Sequence, residues 1–332
     1  MNIRPIAAII ISLVIFTASP GTVAVSTVQA SAFFVPPEKK VSEVRPYLAS
    51  LPPAKLVSAP KKIIGNDGRE SLGVKTTASH VYVVDEKSNA VLFSNAEHER
   101  VPLASITKLM TARVFRSRGI DWNMVVTMDN VVPDGGVAYF ANGDQVTVRD
   151  LWKTMLVGSS NTAARTLQKV SGLSEDEFVA EMNASAAGLG MFDTHFVEPT
   201  GLDEKNLSSA ADIALLSRVA FADVEVTNVV SLVYFDLTKI KGSPKRVLST
   251  NKLLGSFIAK APYKLIGAKT GYITESGYNI VVSVTRTNAS PVTVVVLGAS
   301  SNDLRFQEAK SVAYWAFNNY SWGAGRLSVA SK

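Results

Sequence analysis

The sequence predicts an α+β fold, an antiparallel sheet flanked by helices, with a helical region inserted between two groups of strands. Three observations indicate it. Strand-like runs occur near residue 80, and three more follow one another between residues 264 and 299. Between these groups, from about 148 to 222, the pattern is mostly helical. Because strands joined by short turns pair antiparallel, both ends of the domain are expected to contribute to one sheet.

The first expected elements are a hairpin and a helix. Strands are predicted at His80–Val84 and Ala90–Phe93, where short apolar runs flank a polar turn. A helix is predicted from Ala104 to Arg118, because Pro102 precedes this run and Gly119 offers a stop.

The later elements follow from a cap and from periodicity. Ser174 and Glu177 form a capping-box pattern that opens a helix over Phe178–Ala187. The remaining expectations are a helix at Ser209–Phe221, strands at Lys264–Ile273, Asn279–Arg286 and Val292–Ala299, and a closing helix at Asp303–Asn319.

Composition bounds the function. The chain has 332 residues, of which 47% are hydrophobic, enough for a sizeable core. Its net charge is +6, but no basic run with interleaved aromatic residues stands out, so nucleic acid is not expected as a partner. The absence of cysteine excludes disulfides, cysteine nucleophiles and iron–sulfur clusters. The three histidines lack metal-ligand spacing, so neither a metal nor another cofactor is expected.

A serine and a lysine three residues apart open the predicted helix at Ala104. Ser105 and Lys108 would share one helix face, so the hydroxyl and the amine can meet. A serine is a poor nucleophile until a neighbouring base takes its proton, and a neutral lysine can be that base. The positive end of the helix would favour negative charge developing near Ser105.

The Ser-x-x-Lys spacing alone is weak, since it recurs at Ser58 and Ser249, and Pro60 interrupts the first of these. The motifs that follow Ser105 in the chain add specificity. They are Ser159-Ser160-Asn161 and then Lys269-Thr270-Gly271. This ordered set of three motifs is typical of penicillin-binding proteins and class A β-lactamases.

Residues from about 75 to 318 resemble the serine-type D-alanyl-D-alanine carboxypeptidase/endopeptidase family, the low-molecular-weight penicillin-binding proteins. The resemblance implies a β-lactamase/transpeptidase-like architecture. Beyond the three motifs, it is carried by Val81–Glu86 with Val91-Leu92, by Val101–Ala112, by Phe178–Asn183 with Gly188–Gly190, by Pro199–Leu202, by Tyr272 with Gly277-Tyr278, and by Val296–Gly298 with Arg305.

The resemblance also implies roles for individual residues. Ser105 would be the nucleophile and Lys108 its general base, with Lys269 as a second cation that depresses the lysine pKa. Ser159 would relay a proton to the leaving amine. The residues expected to bind substrate are Asn161, Lys269, Thr270, Gly271 and Tyr272. Backbone N–H groups of Ser105 and Tyr272 would form the oxyanion hole.

The expected function is an exported serine D,D-peptidase that forms an acyl-enzyme on Ser105. It would cleave D-Ala-D-Ala or D,D cross-links of peptidoglycan stem peptides, and β-lactam antibiotics would inhibit it covalently. Carboxypeptidase and endopeptidase activity both remain open. One alternative is a class A-like β-lactamase, suggested by Glu198 before Pro199, although Leu202 stands where such enzymes have asparagine. Another is a catalytically weak wall-binding scaffold.

Four segments are predicted along the chain. Residues 1–32 are interpreted as an export signal, with an apolar core at Ile6–Phe16 and the cleavage pattern Ala30-Ser31-Ala32. Residues 33–72 are a proline-rich linker, 73–320 the D,D-peptidase catalytic domain and 321–332 a C-terminal tail. The protein is therefore expected in the periplasm or cell envelope. The alternative to cleavage is an uncleaved N-terminal segment that tethers the chain to the membrane.

Overall fold

The computed structural model describes residues 58–65, 68–131 and 136–323. The predicted export signal, the linker as far as residue 57 and the tail from residue 324 lie outside the described residues. None of the helices in the described ranges combines the length and the apolar character that crossing a membrane requires.

The described part of the chain contains thirteen strands, seven α-helices and three short 3-10 helices. The strands are β1 (Lys61–Lys62), β2 (His80–Asp85), β3 (Val91–Asn95), β4 (Val101–Pro102), β5 (Val125–Thr127), β6 (Gln145–Thr147), β7 (Leu207–Ser208), β8 (Tyr234–Leu237), β9 (Lys245–Leu248), β10 (Tyr263–Ile273), β11 (Gly277–Arg286), β12 (Val292–Ala299) and β13 (Tyr320–Ser321). The α-helices are α1 (Lys108–Ser117), α2 (Val148–Val157), α3 (Asn161–Val170), α4 (Glu175–Gly188), α5 (Ala210–Ala220), α6 (Val224–Val230) and α7 (Asn302–Asn319). The 3-10 helices are Ala104–Thr107, Lys252–Gly255 and Phe257–Ala259.

The main sheet has five antiparallel strands in the order β10-β11-β12-β2-β3. Strands β10, β11 and β12 follow one another in sequence, and β12 then pairs with β2 from the other end of the domain, with Val296 opposite Val81. This confirms the predicted α+β class and the sheet built from both ends of the domain. The hairpin β8–β9 lies outside this sheet and was not predicted.

The two faces of the sheet pack against different helices because side chains alternate along each strand. Val281 and Val295 belong to the larger core, with α1, α2 and the other helices of the inserted region. Their neighbours Val282 and Val294 belong to a second core under α7. Both faces are therefore covered, which explains why β11 and β12 read as nearly continuous valine runs.

The helices begin where side chains can cap them. The predicted capping box is present in full: the Ser174 hydroxyl accepts from the Glu177 backbone N–H, and the Glu177 carboxylate accepts from the Ser174 backbone N–H. Ser160 caps α3 in the same manner, accepting from the Ala163 backbone N–H. The cap therefore fixes the start of α3 at Asn161, the last residue of the Ser159-Ser160-Asn161 motif.

The start of the predicted helix at Ala104 differs from expectation. Residues Ala104–Thr107 form a 3-10 turn, and α1 begins only at Lys108. Ala104 has φ +51°, in the left-handed region, so a regular α-helix cannot begin at this residue. The chain therefore enters α1 through a tight turn, which we call the nucleophile turn.

Part of the segment predicted as a linker lies against the domain. Lys61 and Lys62 pair antiparallel with Ser321 and Tyr320, joining β1 to β13. Further on, the Ser71 hydroxyl accepts a hydrogen bond of 2.7 Å from the indole N–H of Trp315 on α7.

Candidate active site

The nucleophile turn brings Ser105 and Lys108 into contact. In a 3-10 turn, side chains three residues apart eclipse each other. Lys108 Nζ donates to Ser105 Oγ over 2.8 Å. Ser105 itself is half-buried, whereas its partner Lys108 is buried.

Lys108 is fully buried and makes two further hydrogen bonds across the site. Its Nζ donates to Asn161 Oδ1 over 2.5 Å and to the Thr200 carbonyl oxygen over 2.6 Å. Asn161 is the first residue of α3, so the cap at Ser160 holds the amide in place. The first and second sequence motifs therefore meet at the lysine amine.

Lys269 forms a second buried amine opposite the first. Only 1% of the residue is exposed, and Nζ donates to Ser159 Oγ over 2.7 Å and to the Thr270 carbonyl oxygen over 2.9 Å. Burial lowers the pKa of Lys269 well below its usual value, and the positive charges of Lys108 and Arg305 lower this pKa further. The lysine pair therefore gives up one proton more readily than two isolated lysines would.

Strand β10 packs directly on the nucleophile turn, which requires a glycine at position 271. A Cβ atom added there would lie 2.7 Å from the Leu103 carbonyl oxygen and 3.2 Å from the Ser105 nitrogen. Asn279, opposite Gly271 in the neighbouring strand, donates from Nδ2 to the Pro102 carbonyl oxygen over 3.2 Å. The sheet and the nucleophile turn are thereby locked together.

A second glycine contacts the turn from the other side. Gly201 has φ +84°, and an added Cβ would overlap the Ala104 carbonyl oxygen and approach Thr107 Oγ1 to 2.9 Å. Together with Gly271, it leaves the nucleophile turn no room to shift.

Glu198 holds the loop that supplies the Thr200 carbonyl. One carboxylate oxygen accepts from the Thr200 backbone N–H and hydroxyl over 2.7 and 2.6 Å. The other accepts from the Gly201 and Leu202 backbone N–H groups and, over 2.8 Å, from Asn206 Nδ2. These donors organise the loop around Glu198, which favours a structural role over water activation.

Tyr272 follows the third motif and is half exposed. Its ring stacks on Tyr278 with centroids 4.3 Å apart. Arg305 on α7 lies over the Tyr278 ring and donates to the Gly271 carbonyl oxygen over 2.9 Å. Burial lowers the pKa of Arg305 to about 10, and its guanidinium supports β10 from the side of the closing helix.

The other Ser-x-x-Lys pairs do not make the same contacts. Ser249 Oγ accepts from the Asn251 backbone N–H, while Lys252 Nζ contacts the Asp303 carboxylate over 2.9 Å at the surface. Lys61 lies in β1, paired with β13. Among the described residues, only Ser105 and Lys108 join this spacing to the other two motifs.

The sequence did not predict the contacts that three residues make in the site, namely Thr250, Asn279 and Thr200. The Thr270 hydroxyl donates to the Thr250 hydroxyl over 2.7 Å, Asn279 braces the nucleophile turn, and the Thr200 carbonyl receives Lys108. No local pattern marks them, because each contacts a motif residue only through the tertiary fold.

Taken together, the site places a hydroxyl against one buried amine and a second hydroxyl against another. Such a site can activate a serine, attack a carbonyl and return the proton to a leaving group.

Comparisons with known proteins agree with the motifs. A family model described as D-alanyl-D-alanine carboxypeptidase matches residues 68–301. A D-alanyl-D-alanine endopeptidase of Haemophilus influenzae is 33% identical over 240 residues, covering 70% of this chain and 80% of the relative. The D-alanyl-D-alanine carboxypeptidase DacF of Bacillus subtilis is 27% identical, covering 80% of this chain and 68% of the relative.

Solved structures give the same result. A mutant of a Streptomyces DD-transpeptidase is 26% identical, with a TM-score of 0.67, and the match covers 74% of this chain and 99% of the other. A penicillin-binding protein of Listeria monocytogenes in its cefotaxime-bound form is 28% identical, with a TM-score of 0.65, and the match covers 74% and 100%. The chain therefore belongs to the D-alanyl-D-alanine carboxypeptidase family of serine peptidases, as its motifs predicted.

Proposed function

We propose that this protein is an exported serine D,D-peptidase that cleaves peptidoglycan stem peptides through an acyl-enzyme on Ser105. The observation that carries the proposal is the contact of Ser105 with the buried amine of Lys108, 2.8 Å away, beside the Lys269–Ser159 pair. The family membership supports the substrate class, since the relatives are named for D-alanyl-D-alanine peptides.

Acylation begins with Lys108 as a neutral amine. Such an amine has two protons and one lone pair. In the structure Nζ donates to Ser105 Oγ, Asn161 Oδ1 and the Thr200 carbonyl oxygen. Once the amine has lost one proton, the remaining two keep the bonds to Asn161 and Thr200, and the lone pair turns toward Ser105 Oγ. Lys108 takes the Ser105 proton as Oγ attacks the D-alanine carbonyl carbon. Backbone N–H groups of Ser105 and Tyr272 receive the developing oxyanion, and removal of one such donor typically costs about 2.7–4 kcal/mol of transition-state stabilisation.

Collapse of the tetrahedral intermediate breaks the peptide bond. The leaving amine takes the proton of the Ser159 hydroxyl, and Ser159 is reprotonated by the lysine pair, which received the Ser105 proton. The acyl group stays on Ser105. Asn161 holds the peptide backbone, while Lys269, Thr270 and Gly271 line the side that receives the leaving residue. Water then adds to the ester carbonyl carbon and the bond from this carbon to Ser105 Oγ breaks. One water proton ends on Ser105 Oγ, and the OH stays on the peptide as its new carboxyl group.

Covalent inhibition by β-lactams follows from the same chemistry. A β-lactam amide presents a carbonyl to Ser105, but its leaving amine remains tethered and no water-activating residue is proposed in this chain. Glu198 is bonded into its loop by backbone N–H groups, which argues against a class A-like β-lactamase. The Listeria penicillin-binding protein was solved in a cefotaxime-bound form, which supports β-lactam binding by this chain.

Digestion of purified muropeptides, with mass identification of the products, tests the proposed activity. Release of D-alanine from pentapeptides would identify a carboxypeptidase, and conversion of cross-linked dimers to monomers would identify an endopeptidase. Two endopeptidase relatives, at 33% and 32% identity, favour the second outcome. No release and no covalent labelling by a fluorescent penicillin would leave a wall-binding scaffold and overturn the peptidase.

Export to the cell envelope is proposed from residues 1–32, with the mature chain beginning at Phe33 after Ala30-Ser31-Ala32. N-terminal sequencing of the exported protein should therefore start at Phe33. A sequence starting at Met1 or Asn2 would instead support a membrane tether through an uncleaved segment.

A further inference from the structure

The helix that carries Lys108 also carries a second polar side chain that reaches the same loop. Thr111 lies three positions after Lys108 in α1, and residues at this spacing share one helix face. Thr111 is fully buried, and its hydroxyl donates to the Pro199 carbonyl oxygen over 2.5 Å. Lys108 Nζ donates to the carbonyl oxygen of the next residue, Thr200, over 2.6 Å. One face of α1 therefore binds two consecutive carbonyl groups of the loop.

The Thr111 hydroxyl serves the loop rather than its own helix. Threonines in helices often donate to the carbonyl oxygen four residues before them. For Thr111 this is the Thr107 oxygen, which is 3.5 Å away, against 2.5 Å for the Pro199 oxygen. A hydroxyl has one proton, so the shorter contact takes it. Thr154, a fully buried threonine on α2, shows the ordinary arrangement, with its hydroxyl 2.6 Å from the Asp150 carbonyl oxygen.

Two consecutive peptide units of the loop lie between α1 and the Glu198 carboxylate. The first unit ends at Thr200: its carbonyl accepts from Thr111, and its N–H donates to Glu198 Oε2 over 2.7 Å. The second unit begins at Thr200: its carbonyl accepts from Lys108, and its N–H donates to Glu198 Oε1. Because a peptide unit is planar, hydrogen bonds at both ends fix its orientation. The first unit therefore helps to hold the second where its carbonyl meets the lysine amine.

The Thr200 carbonyl matters for acylation because it orients that amine. When Lys108 has lost one proton, the two that remain stay with Asn161 Oδ1 and the Thr200 carbonyl oxygen, and the lone pair is left for Ser105. A carbonyl displaced from Lys108 would let the amine rotate and carry its lone pair away from the Ser105 hydroxyl. Catalytic groups must be held within about 0.5 Å of their productive geometry, so a small displacement has a large effect on rate.

We propose that Thr111 is a positioning residue for acylation. Its hydroxyl holds the first peptide unit, which keeps the Thr200 carbonyl on Lys108 and so directs the amine to Ser105. Since Thr111 is fully buried, it acts through Lys108 and not through the substrate. This inference rests on the serine D,D-peptidase activity proposed above.

Acylation by a fluorescent penicillin at several concentrations tests the role of Thr111. The rate constant at saturation reports the chemical step, and the half-saturating concentration reports binding of the penicillin. Thr111→Val removes the hydroxyl and keeps the shape of the side chain, whereas Thr111→Ser keeps the hydroxyl. Thr154→Val is the matched control, a fully buried threonine in a helix whose hydroxyl bonds within that helix. Thermal unfolding of each variant sets a temperature at which all of them are folded.

Thr111→Val should lower the saturating rate constant about 10- to 100-fold and change the half-saturating concentration less than about 3-fold. Thr111→Ser should stay within about 3-fold of the wild-type rate constant, and Thr154→Val should react like the wild type. If Thr111→Val does not fold, Thr111→Ala should show the same loss of rate without loss of binding.

A wild-type rate constant without the hydroxyl, a loss confined to binding, a serine variant as slow as the valine variant, or an equal loss in Thr154→Val would overturn the role of Thr111. A wild-type protein that penicillin does not acylate would instead overturn the proposed peptidase.

Discussion

Lys108 and Lys269 have identical side chains but different contacts. Lys108 Nζ touches the Ser105 hydroxyl, whereas Lys269 Nζ touches the Ser159 hydroxyl and the Thr270 carbonyl oxygen. Both side chains are buried in closely packed surroundings. A bulkier group in place of either amine should therefore reduce stability.

Lys108→Arg should be inactive although it keeps the positive charge. Arginine stays protonated in proteins and cannot serve as a base, and its planar guanidinium does not fit the contacts of a compact amine. Single-turnover acylation by a fluorescent penicillin measures the effect. Lys252→Arg, in the Ser-x-x-Lys pair at the surface, is the control and should react like the wild type. Substantial acylation of Lys108→Arg would remove Lys108 from the role of general base.

Ser105→Ala should abolish covalent penicillin labelling and leave the fold intact. The change removes one hydroxyl that accepts from Lys108, and a typical intramolecular hydrogen bond contributes only about 1 kcal/mol to stability. Labelling followed by gel electrophoresis, together with circular dichroism, checks both parts. Ser249→Ala is the matched control and should label normally. The reverse pattern would mean that the other Ser-x-x-Lys pair carries the nucleophile.

At the scale of elements, the nucleophile turn packs against strands β10 and β11 and against the loop that contains Gly201. Gly271 on β10 approaches it from the sheet, and Gly201 approaches it from the loop that Glu198 organises. Ala104 in the turn and Ser159 beside Lys269 both have positive φ, of 51° and 59°. Non-glycine residues in such conformations cost on the order of 1–3 kcal/mol each and persist only where the surroundings impose them.

Gly201→Ala should therefore destabilise the protein and slow acylation. The new Cβ would overlap the Ala104 carbonyl oxygen and push the turn away from Gly271. Gly172→Ala is the matched control, since Gly172 has φ +79° but no atom near an added Cβ. Urea unfolding should show Gly201→Ala less stable than Gly172→Ala by at least about 1–3 kcal/mol, the usual cost of overpacking. Equal stability of the two variants would contradict the close approach of loop and turn.

Glu198→Gln should reduce stability and leave the lifetime of the penicilloyl-enzyme nearly unchanged. An amide nitrogen would face N–H donors that now meet a carboxylate oxygen, at a cost of about 1–3 kcal/mol. The lifetime should change by less than about tenfold, or roughly 1.4 kcal/mol. Glu204→Gln, exposed in the same loop, is the control. Rapid penicillin turnover by the wild type that Glu198→Gln loses would favour a β-lactamase.

The sequence predicted the elements well where a pattern is local. The capping box at Ser174, the valine runs of β11 and β12 and the closing helix α7 each follow from residues close together in the chain. The left-handed Ala104 was not predictable, because glycine is the usual residue at positive φ. Nor was Thr250, since its partner Thr270 reaches it only when β10 has joined the sheet. Local periodicity does not encode such contacts.

On the scale of the whole molecule, the buried lysine pair makes stability depend on pH. The pKa of Lys269 is lowered in the folded state, so between this pKa and the ordinary value near 10.4 the unfolded chain binds more protons than the folded one. Stability then rises with pH through that window, and the penalty of a buried cation is largest below it.

Lys269→Met should remove this dependence as well as the activity. The free energy of unfolding of the wild type, relative to Lys269→Met, should rise between pH 7 and pH 10, by up to about 1.4 kcal/mol per pH unit inside the window. Urea unfolding at several pH values measures it. Lys252→Met, which removes a largely exposed lysine, controls for the lost charge. Parallel curves for wild type and Lys269→Met would show that Lys269 is protonated alike in both states.

The pairing of β2 with β12 has a consequence for when activity first appears. Strand β2 precedes the nucleophile turn in the chain, whereas β12 belongs to the later group of strands that includes β10, which carries Lys269. Contacts between such distant segments form slowly during folding. Ser105, Ser159 and Lys269 are separated by 54 and 110 residues in the chain, so long-range packing is needed to bring them together. Reactivity toward penicillin should therefore report that folding is complete. During refolding from denaturant, labelling should develop with the slowest phase that builds the sheet. A newly synthesised chain should therefore not react with penicillin until its last strands have joined the sheet.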